Sequence, residues 1–221
     1  MKKQILLFLS IAIASVGMAQ DRTSFGIRGG MTSSSMKGDA NESLQNLLEV
    51  TDGMITTRNQ TGMYAGGFVS IPVGGQFSIE PGVYYSQKGY ELHGALDLKG
   101  VEFLGVNAKA QLKSQYIDMP LLVKANFNGF QVFAGPQVSY LTRADLKTSA
   151  GLLGFNLLSE KFDVTDEFNR WDAGVTGGIG YQFSNGFHVT AAYDHGLTKV
   201  DANRNVDAYN RSFKVGVGFS F

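Results

Sequence analysis

Apolar and polar residues alternate with a period of two through most of the chain. The C-terminal segment 213–221 is the clearest case, because its odd positions are Phe or Val and its even positions are Lys, Gly or Ser. Such alternation is typical of a β-strand with one apolar face. Segments 171–183 and 187–194 show the same pattern. The chain is therefore predicted to consist mainly of strands.

Tight turns and long polar connections separate these segments in turn. Gly74-Gly75, Asn128-Gly129 and Asn185-Gly186 predict hairpin turns, because Gly and Asn accept the positive φ angles that such turns require. The long polar stretches are 32–61, 93–109, 142–167 and 198–208. The predicted strands are about 24–31, 62–73, 76–92, 110–127, 130–141, 168–184, 187–197 and 209–221.

This strict alternation of short and long connections is the plan of an outer-membrane β-barrel, with tight periplasmic turns and longer outer loops. An even number of strands places both chain ends on the periplasmic side. Beyond residue 20 no apolar stretch has the length of a spanning helix. The predicted fold is an all-β, transmembrane, antiparallel up-and-down barrel of about eight strands in the cell outer membrane, with outer-membrane lipids as its partners.

The N-terminus predicts export. Lys2 and Lys3 precede an apolar run over 4–16, and small residues surround a cleavage point before Gln20. This is the layout of a secretory signal peptide. The expected domains are therefore a signal peptide at 1–19 and a barrel domain at 20–221.

Composition narrows the possible functions. The chain has no cysteine, which excludes a disulfide framework, a cysteine metal site and a cysteine-linked lipid anchor. Lys and Arg number 19, as do Asp and Glu, so removal of Lys2 and Lys3 leaves 17 basic against 19 acidic residues, a net charge of −2. This balance does not favour nucleic acid as a partner.

The two faces of the strands differ in chemistry. The apolar parity is expected to face lipid, with aromatic rings near the strand ends. An eight-stranded lumen is only wide enough for side chains, and unpaired charges inside it would be costly. The opposite parity carries charges of both signs, which we expect to pair with one another and plug the lumen. These lumen residues are Arg28, Glu80, Lys88, Asp118, Lys124, Asp172, Asp194 and Lys214.

Some segments fit this plan less well. Pro81, Pro120 and Pro136 lie within predicted strands, and proline lacks a ladder donor, so local bulges are expected there. In the segment 64–73, either Phe68 or Val69 could face lipid. The segment 41–50 carries leucines at helical spacing and predicts either a short helix or a disordered loop.

Catalysis, metal binding and cofactor binding are not expected. His188 and Asp194 share the lumen parity but lie about 20 Å apart along one strand, so His188 is expected to pair with another lumen carboxylate. Asp163, Asp166 and Glu167 lack the alternating ligands and central glycine of a calcium loop, which favours a solvated loop. The many glycines have no following helix that could bind phosphate. They are expected to relieve crowding in the lumen or permit curvature.

Several segments resemble the PorT-like outer-membrane β-barrel family. They are Tyr85-Ser86-Gln87-Lys88-Gly89, the stretch 116–124, Ala134-Gly135-Pro136, and the two ends of the mature chain at 25–30 and 216–221. The resemblance implies an outer-membrane barrel, with prolines such as Pro120 and Pro136 as family features. It also implies a link, in some members, to export of other proteins.

Three functional hypotheses follow, of which the least favoured is an outer-membrane enzyme acting on lipid through His188 or His195. The first is a structural or binding barrel that presents its outer loops and is not an enzyme. The alternative is a narrow pore or an accessory component of an outer-membrane transport or secretion system, with protein partners in a secretion or surface complex.

The export hypothesis makes the first testable prediction. The mature protein should begin near Gln20 and fractionate with outer membranes, because the signal peptide is removed during export. N-terminal sequencing of protein from fractionated cells measures both properties. Retention of Met1 in a cytosolic fraction would contradict the prediction.

Overall fold

A computed structural model describes residues 23–37, 55–96, 106–152, 155–200 and 208–221. The predicted signal peptide at 1–19 and the helical spacing at 41–50 lie outside these residues. Within the described ranges, no helix is long and apolar enough to cross a membrane.

The described residues form nine strands and one short 3-10 turn, Thr165–Glu167. The strands are β1 Ser24–Lys37, β2 Ile55–Gly74, β3 Phe77–Leu96, β4 Val106–Phe127, β5 Phe130–Leu152, β6 Phe155–Asp163, β7 Trp171–Gln182, β8 Phe187–Gly196 and β9 Tyr209–Ser220.

The strands close into an antiparallel barrel. Each strand pairs with the next strand in sequence, except that β6 and β7 do not pair with each other, and β9 pairs with β1. β5 pairs with β7 over residues 130–140 and with β6 over 145–152, so β6 and β7 together form one interrupted wall strand. The chain ends are joined as well, since the Phe25 amide donates to Phe221 O at 3.1 Å and the Phe221 amide donates to Phe25 O at 2.8 Å. The prediction of a closed eight-stranded barrel is confirmed.

The short turns form where the sequence indicates. At the β4–β5 turn, Asn128 and Gly129 have φ angles of 52° and 96°, the left-handed conformation that a tight hairpin needs. The Gly129 amide also donates to the side-chain oxygen of Asn126 at 2.9 Å.

Strands β1 to β5 extend further outward than predicted, since residues 32–37, 55–61, 93–96 and 106–109 of the expected connections also belong to strands. Residues 142–167 were expected to form a connection, but they contain the outer half of β5 and all of β6. The register aligns Tyr90, Leu112, Leu146 and Phe162 in one row across β3 to β6, on the inward parity. The outward face of the wall changes from apolar to polar in this outer extension. A strand without an apolar outward face lacks the alternating pattern that identifies a membrane strand. This is why residues 142–167 were predicted to be a connection.

The prolines are accommodated without bulges. Strand pairing has the same offset on both sides of Pro81 and Pro120, so no extra residue is inserted, and Pro136 pairs with Val175 in an unbroken ladder. The prediction of bulges at these positions was wrong. Instead of bulges, a few positions of the ladder beside the prolines are left without a paired residue. Register shifts occur instead between Asn59 and Tyr64, Pro72 and Gly74, Gln115 and Tyr116, and Ala150 and Gly151.

The faces follow the predicted parity. Every side chain expected to face lipid is exposed or half-buried. Phe68 is only 4% exposed and points inward, which resolves the ambiguity of its segment. The side chains predicted to face lipid are Phe25, Ile27, Phe77, Ile79, Val83, Tyr85, Ile117, Leu121, Val123, Val132, Val138, Tyr140, Trp171, Val175, Ile179, Val189, Tyr193, Val215, Val217 and Phe219.

Glycines on the inner face of β9 make room for large lumen side chains. A Cβ atom on Gly216 would overlap the Tyr64 hydroxyl, and one on Gly218 would overlap His188 Nε2. Both contacts are impossible for a real side chain. These positions fit the expectation that glycine relieves crowding in the lumen.

The wall makes a second prediction, at Val217 near the middle of the lipid-facing row of β9. Val217→Arg should destabilise the barrel in lipid by about 2–4 kcal/mol, because an arginine near the bilayer midplane loses its hydration. The free energy of unfolding in urea, with protein folded into phospholipid vesicles, measures this loss. Val217→Leu is the matched control, since it keeps the position apolar. Equal stability of the two variants would contradict the assignment of faces.

Candidate functional site

The charged lumen residues come from different strands and meet in two clusters. The first lies near the short-turn end and consists of Arg28 on β1, Glu80 on β3 and Lys124 on β4. Arg28 Nη2 donates to Glu80 Oε1 at 3.0 Å, and Lys124 Nζ binds the other carboxylate oxygen. The Arg28 guanidinium lies over the Phe68 ring, 4.6 Å from its centroid. One carboxylate thus holds two cations against an aromatic surface.

The second cluster is built around Asp118 on β4, whose side chain is completely buried. Its Oδ1 accepts from Lys88 Nζ at 2.8 Å and from Ser139 Oγ at 2.6 Å. Its Oδ2 accepts from Lys214 Nζ at 2.9 Å and from Ser86 Oγ at 2.6 Å. This one carboxylate therefore connects β3, β4, β5 and β9 across the lumen.

Lys214 extends the second cluster, because its ammonium also lies 2.6 Å from Asp194 Oδ2. Asp172 is the exception among the predicted lumen charges. Its Oδ2 accepts from Asn210 Nδ2 at 2.7 Å, and its Oδ1 has no hydrogen-bond partner in the described part of the chain. Seven of the eight predicted lumen charges therefore form ion pairs within the two clusters. The exception is Asp172, which accepts a hydrogen bond from the neutral amide of Asn210.

Neutral lumen residues complete both clusters, and the sequence analysis missed their roles. Ser86, Ser139, Tyr84 and Asn210 each hydrogen-bond to a charged lumen side chain. All share the inward parity, which was the signal available in the sequence. Their partners could not be read from it, because the partners belong to other strands.

His188 does not have the expected partner. The predicted bond was to a lumen carboxylate, but His188 Nε2 instead accepts from Arg28 Nε at 3.2 Å. The ring also packs edge-on against Phe68, with centroids 5.6 Å apart. His188 therefore extends the first cluster as an acceptor, and no nucleophile is within hydrogen-bond reach of it among the described residues.

The acidic residues at the outer end of β6 are engaged locally. Asp163 accepts from the Thr165 backbone amide at 3.0 Å and from the Thr165 hydroxyl. The bond from that hydroxyl, together with the bond from the amide, lowers the pKa of Asp163. Asp166 accepts from Arg170 at 2.7 Å. Within the described ranges, no three His, Cys, Asp or Glu residues come together as metal ligands would.

The chemistry of the clusters is that of fixed ion pairs. Both oxygens of Asp118 are occupied by two donors each, so this carboxylate has no free lone pair directed at a substrate. Buried ion pairs are retained only when such additional hydrogen bonds satisfy the remaining polar atoms. The arrangement can hold strands together and fill the lumen.

A polar interior with an apolar exterior is the arrangement of membrane barrels, and the comparison with known families agrees. Residues 18–202 match the model described as outer membrane protein beta-barrel domain. The chain belongs to this family. Its location is accordingly the outer membrane.

Solved outer-membrane barrels have similar folds at low sequence identity. Ail of Yersinia pestis is 14% identical, with 90% of this chain and 99% of that chain covered and a TM-score of 0.47. Neisserial surface protein A is 13% identical, with coverages of 91% and 100% and a TM-score of 0.48. OprG of Pseudomonas aeruginosa is 16% identical, with coverages of 90% and 95% and a TM-score of 0.41. No curated protein sequence matches the chain.

The second cluster makes the third prediction. Asp118→Asn should lower the free energy of unfolding by on the order of 3–5 kcal/mol, because Lys88 and Lys214 would lose a buried counter-charge. Urea unfolding of the wild-type protein and the variant in lipid vesicles measures this difference in the free energy of unfolding.

Asp166→Asn is the matched control for this substitution. It removes the same charge from a side chain that is 94% exposed, and an exposed pair contributes about 0–1 kcal/mol. A loss at Asp118 no larger than the loss at Asp166 would contradict the role of the buried cluster.

Proposed function

We propose that the protein is a non-enzymatic outer-membrane barrel whose lumen is blocked by the two charged clusters, and whose outer part has a structural or binding role. The observation that carries this proposal is the Asp118 carboxylate, which binds side chains from three other strands across the lumen. Charges fixed at the centre of so narrow a barrel leave little room for a solute.

The sizes of the interior spaces support a blocked lumen. A cavity between the clusters, lined by Arg28, Tyr84 and Lys214 among others, measures about 40 Å³. A second, beside Asp172 and Asp194, measures about 10 Å³. A single water needs roughly 10–15 Å³, so these spaces suit a few bound waters rather than a solute path.

The saturated carboxylates support a non-enzymatic role. General acid–base chemistry needs a group that can exchange a proton with a substrate. Glu80 and Asp118 are each bound to two cations, and both are buried inside the wall. The outer extension of β2 to β6 then becomes the part of the protein that can present residues to the surroundings.

The narrower relationship to PorT-like barrels is also part of the proposal, and it rests on the sequence segments such as Tyr85-Ser86-Gln87-Lys88-Gly89. That relationship is the basis for the alternative role in transport or secretion with protein partners. The experiment on conductance distinguishes a blocked barrel from a narrow pore.

The fourth prediction is that the wild-type barrel gives no single-channel current in planar bilayers. The triple variant Lys88→Ala, Asp118→Ala, Lys214→Ala should give small open current steps, because it removes the centre of the second cluster. It removes two positive charges and one negative charge, so the net charge of the lumen falls by one. Heat-dependent migration on a denaturing gel checks that this variant still closes into a barrel.

Asp166→Ala is the control for nonspecific leakage, since Asp166 lies on the outer turn. Regular open steps from the wild-type protein would contradict the blocked lumen and favour the pore. Silence of a folded triple variant would show that these three residues are not the block.

A further inference from the structure

The outward face of the wall changes character just beyond the membrane band. Along β4 the outward positions pass from Ile117 to Gln115 and then to Lys113. The register places Arg143 beside Gln115 and Asp145 beside Lys113. The polar positions thus continue directly from the row that faces lipid.

Four basic side chains occupy this region, and we name them the basic outer face: Lys113, Arg143, Lys147 and Lys161. All four are exposed. Asp145 lies between them and is already paired with Arg143 at 2.9 Å and Lys161 at 3.1 Å. Lys113 and Lys147 have no ion-pair partner in the described part of the chain, so they are available to an external anion.

The other acidic residues of the same face are also engaged. Asp163 accepts from Thr165, and Glu91 accepts from Gln111 Nε2 at 2.9 Å. Among the described residues of this face, the charged side chains that remain without an ion-pair partner are therefore cationic.

A cavity of about 340 Å³ lies at this face. Lys113, Lys147 and Lys161 line it together with the amide side chains Gln60, Gln87, Gln111 and Gln115. Lys88, Ser114 and the already paired Asp145 complete the lining. Ammonium and amide N–H groups are the donors that phosphate oxygens accept, and a charged acceptor strengthens each bond.

The height of the basic outer face matches the headgroup region. Lys113 lies four residues beyond Ile117, which is about 10 Å along the membrane normal for a strand tilted by about 40°. The headgroup layer is roughly 5–8 Å thick on each side, and a lysine side chain can extend back toward it. Tyr140 and Trp171, whose ring centroids are 4.9 Å apart, form an aromatic pair of the kind that marks this interface.

We propose that the basic outer face binds the phosphate groups of the phosphorylated glycolipid in the outer leaflet. The lipid is the favoured source of phosphate because Lys113 lies on the same outward row of β4 as the lipid-facing Ile117. Binding here would fix the orientation of the barrel among its lipids, and it does not depend on whether the lumen conducts.

The test uses the mature protein in phosphatidylcholine vesicles that contain either diphosphorylated lipid A or the same lipid A with its phosphates removed. The quantity measured is the lipid A retained per barrel after mild detergent extraction, by mass spectrometry. Wild-type protein should retain the phosphorylated form preferentially. Lys113→Gln with Lys147→Gln should lower that preference by about tenfold or more, since each lysine near a charged headgroup contributes on the order of 1 kcal/mol.

The matched control is Lys37→Gln with Lys199→Gln, which replaces the last residue of β1 and a lysine three residues beyond the end of β8. This control should keep the wild-type preference. Because Lys113 and Lys147 make no ion pair in the described structure, their replacement should leave heat-dependent gel migration unchanged, which verifies folding.

Two results would overturn the proposal. One is equal retention of both lipids by the wild-type protein, or an equal loss of preference in both double variants. The other is complete displacement of lipid A by inorganic phosphate at equal concentration, which would identify a free-anion site instead of a lipid site.

Discussion

Hydrocarbon offers no hydrogen bonds to a peptide group, and this constraint determines most of the structure. Every backbone N–H and C=O within the bilayer must find a partner inside the wall, so the sheet must close on itself. The pairing of β1 with β9 achieves closure, and the bonds between Phe25 and Phe221 carry it to the chain ends. Closure with eight strands also sets a narrow radius, which leaves a lumen filled by side chains.

That narrow lumen explains why the interior charges are arranged as they are. A charge in so confined a space is stable only with counter-charges and hydrogen bonds around it. Asp118 has both, and Glu80 holds two cations beside Phe68. The glycines of β9 help the narrow lumen to hold its side chains, because Gly216 and Gly218 leave the space that Tyr64 and His188 occupy. Small residues on one strand thus permit large residues on another.

The solvent around the wall changes along its height, and the pattern of residues changes with it. Inside the bilayer the outward positions are apolar, as at Val217, whereas in the outer extension they are polar, as at Lys113. The inward positions of β4 are buried in both regions, as at Asp118 and Leu112. One continuous strand therefore serves two environments, and the change of its outward face from apolar to polar marks the membrane boundary.

The sequence by itself determined the barrel, its faces and its turns, because each depends on local information. A two-residue period assigns every position of 213–221 to one face, and Asn128-Gly129 suits one kind of turn. The full length of β5 and the existence of β6 were not predicted, since the expected pattern applied only to a lipid-facing wall. The partners inside the lumen were decided by the tertiary structure alone. Asp118 and Lys214 are 96 positions apart, and His188 is 160 positions from Arg28. Which side chains meet depends on the stagger between strands around the closed barrel, and no local pattern along one strand carries that stagger.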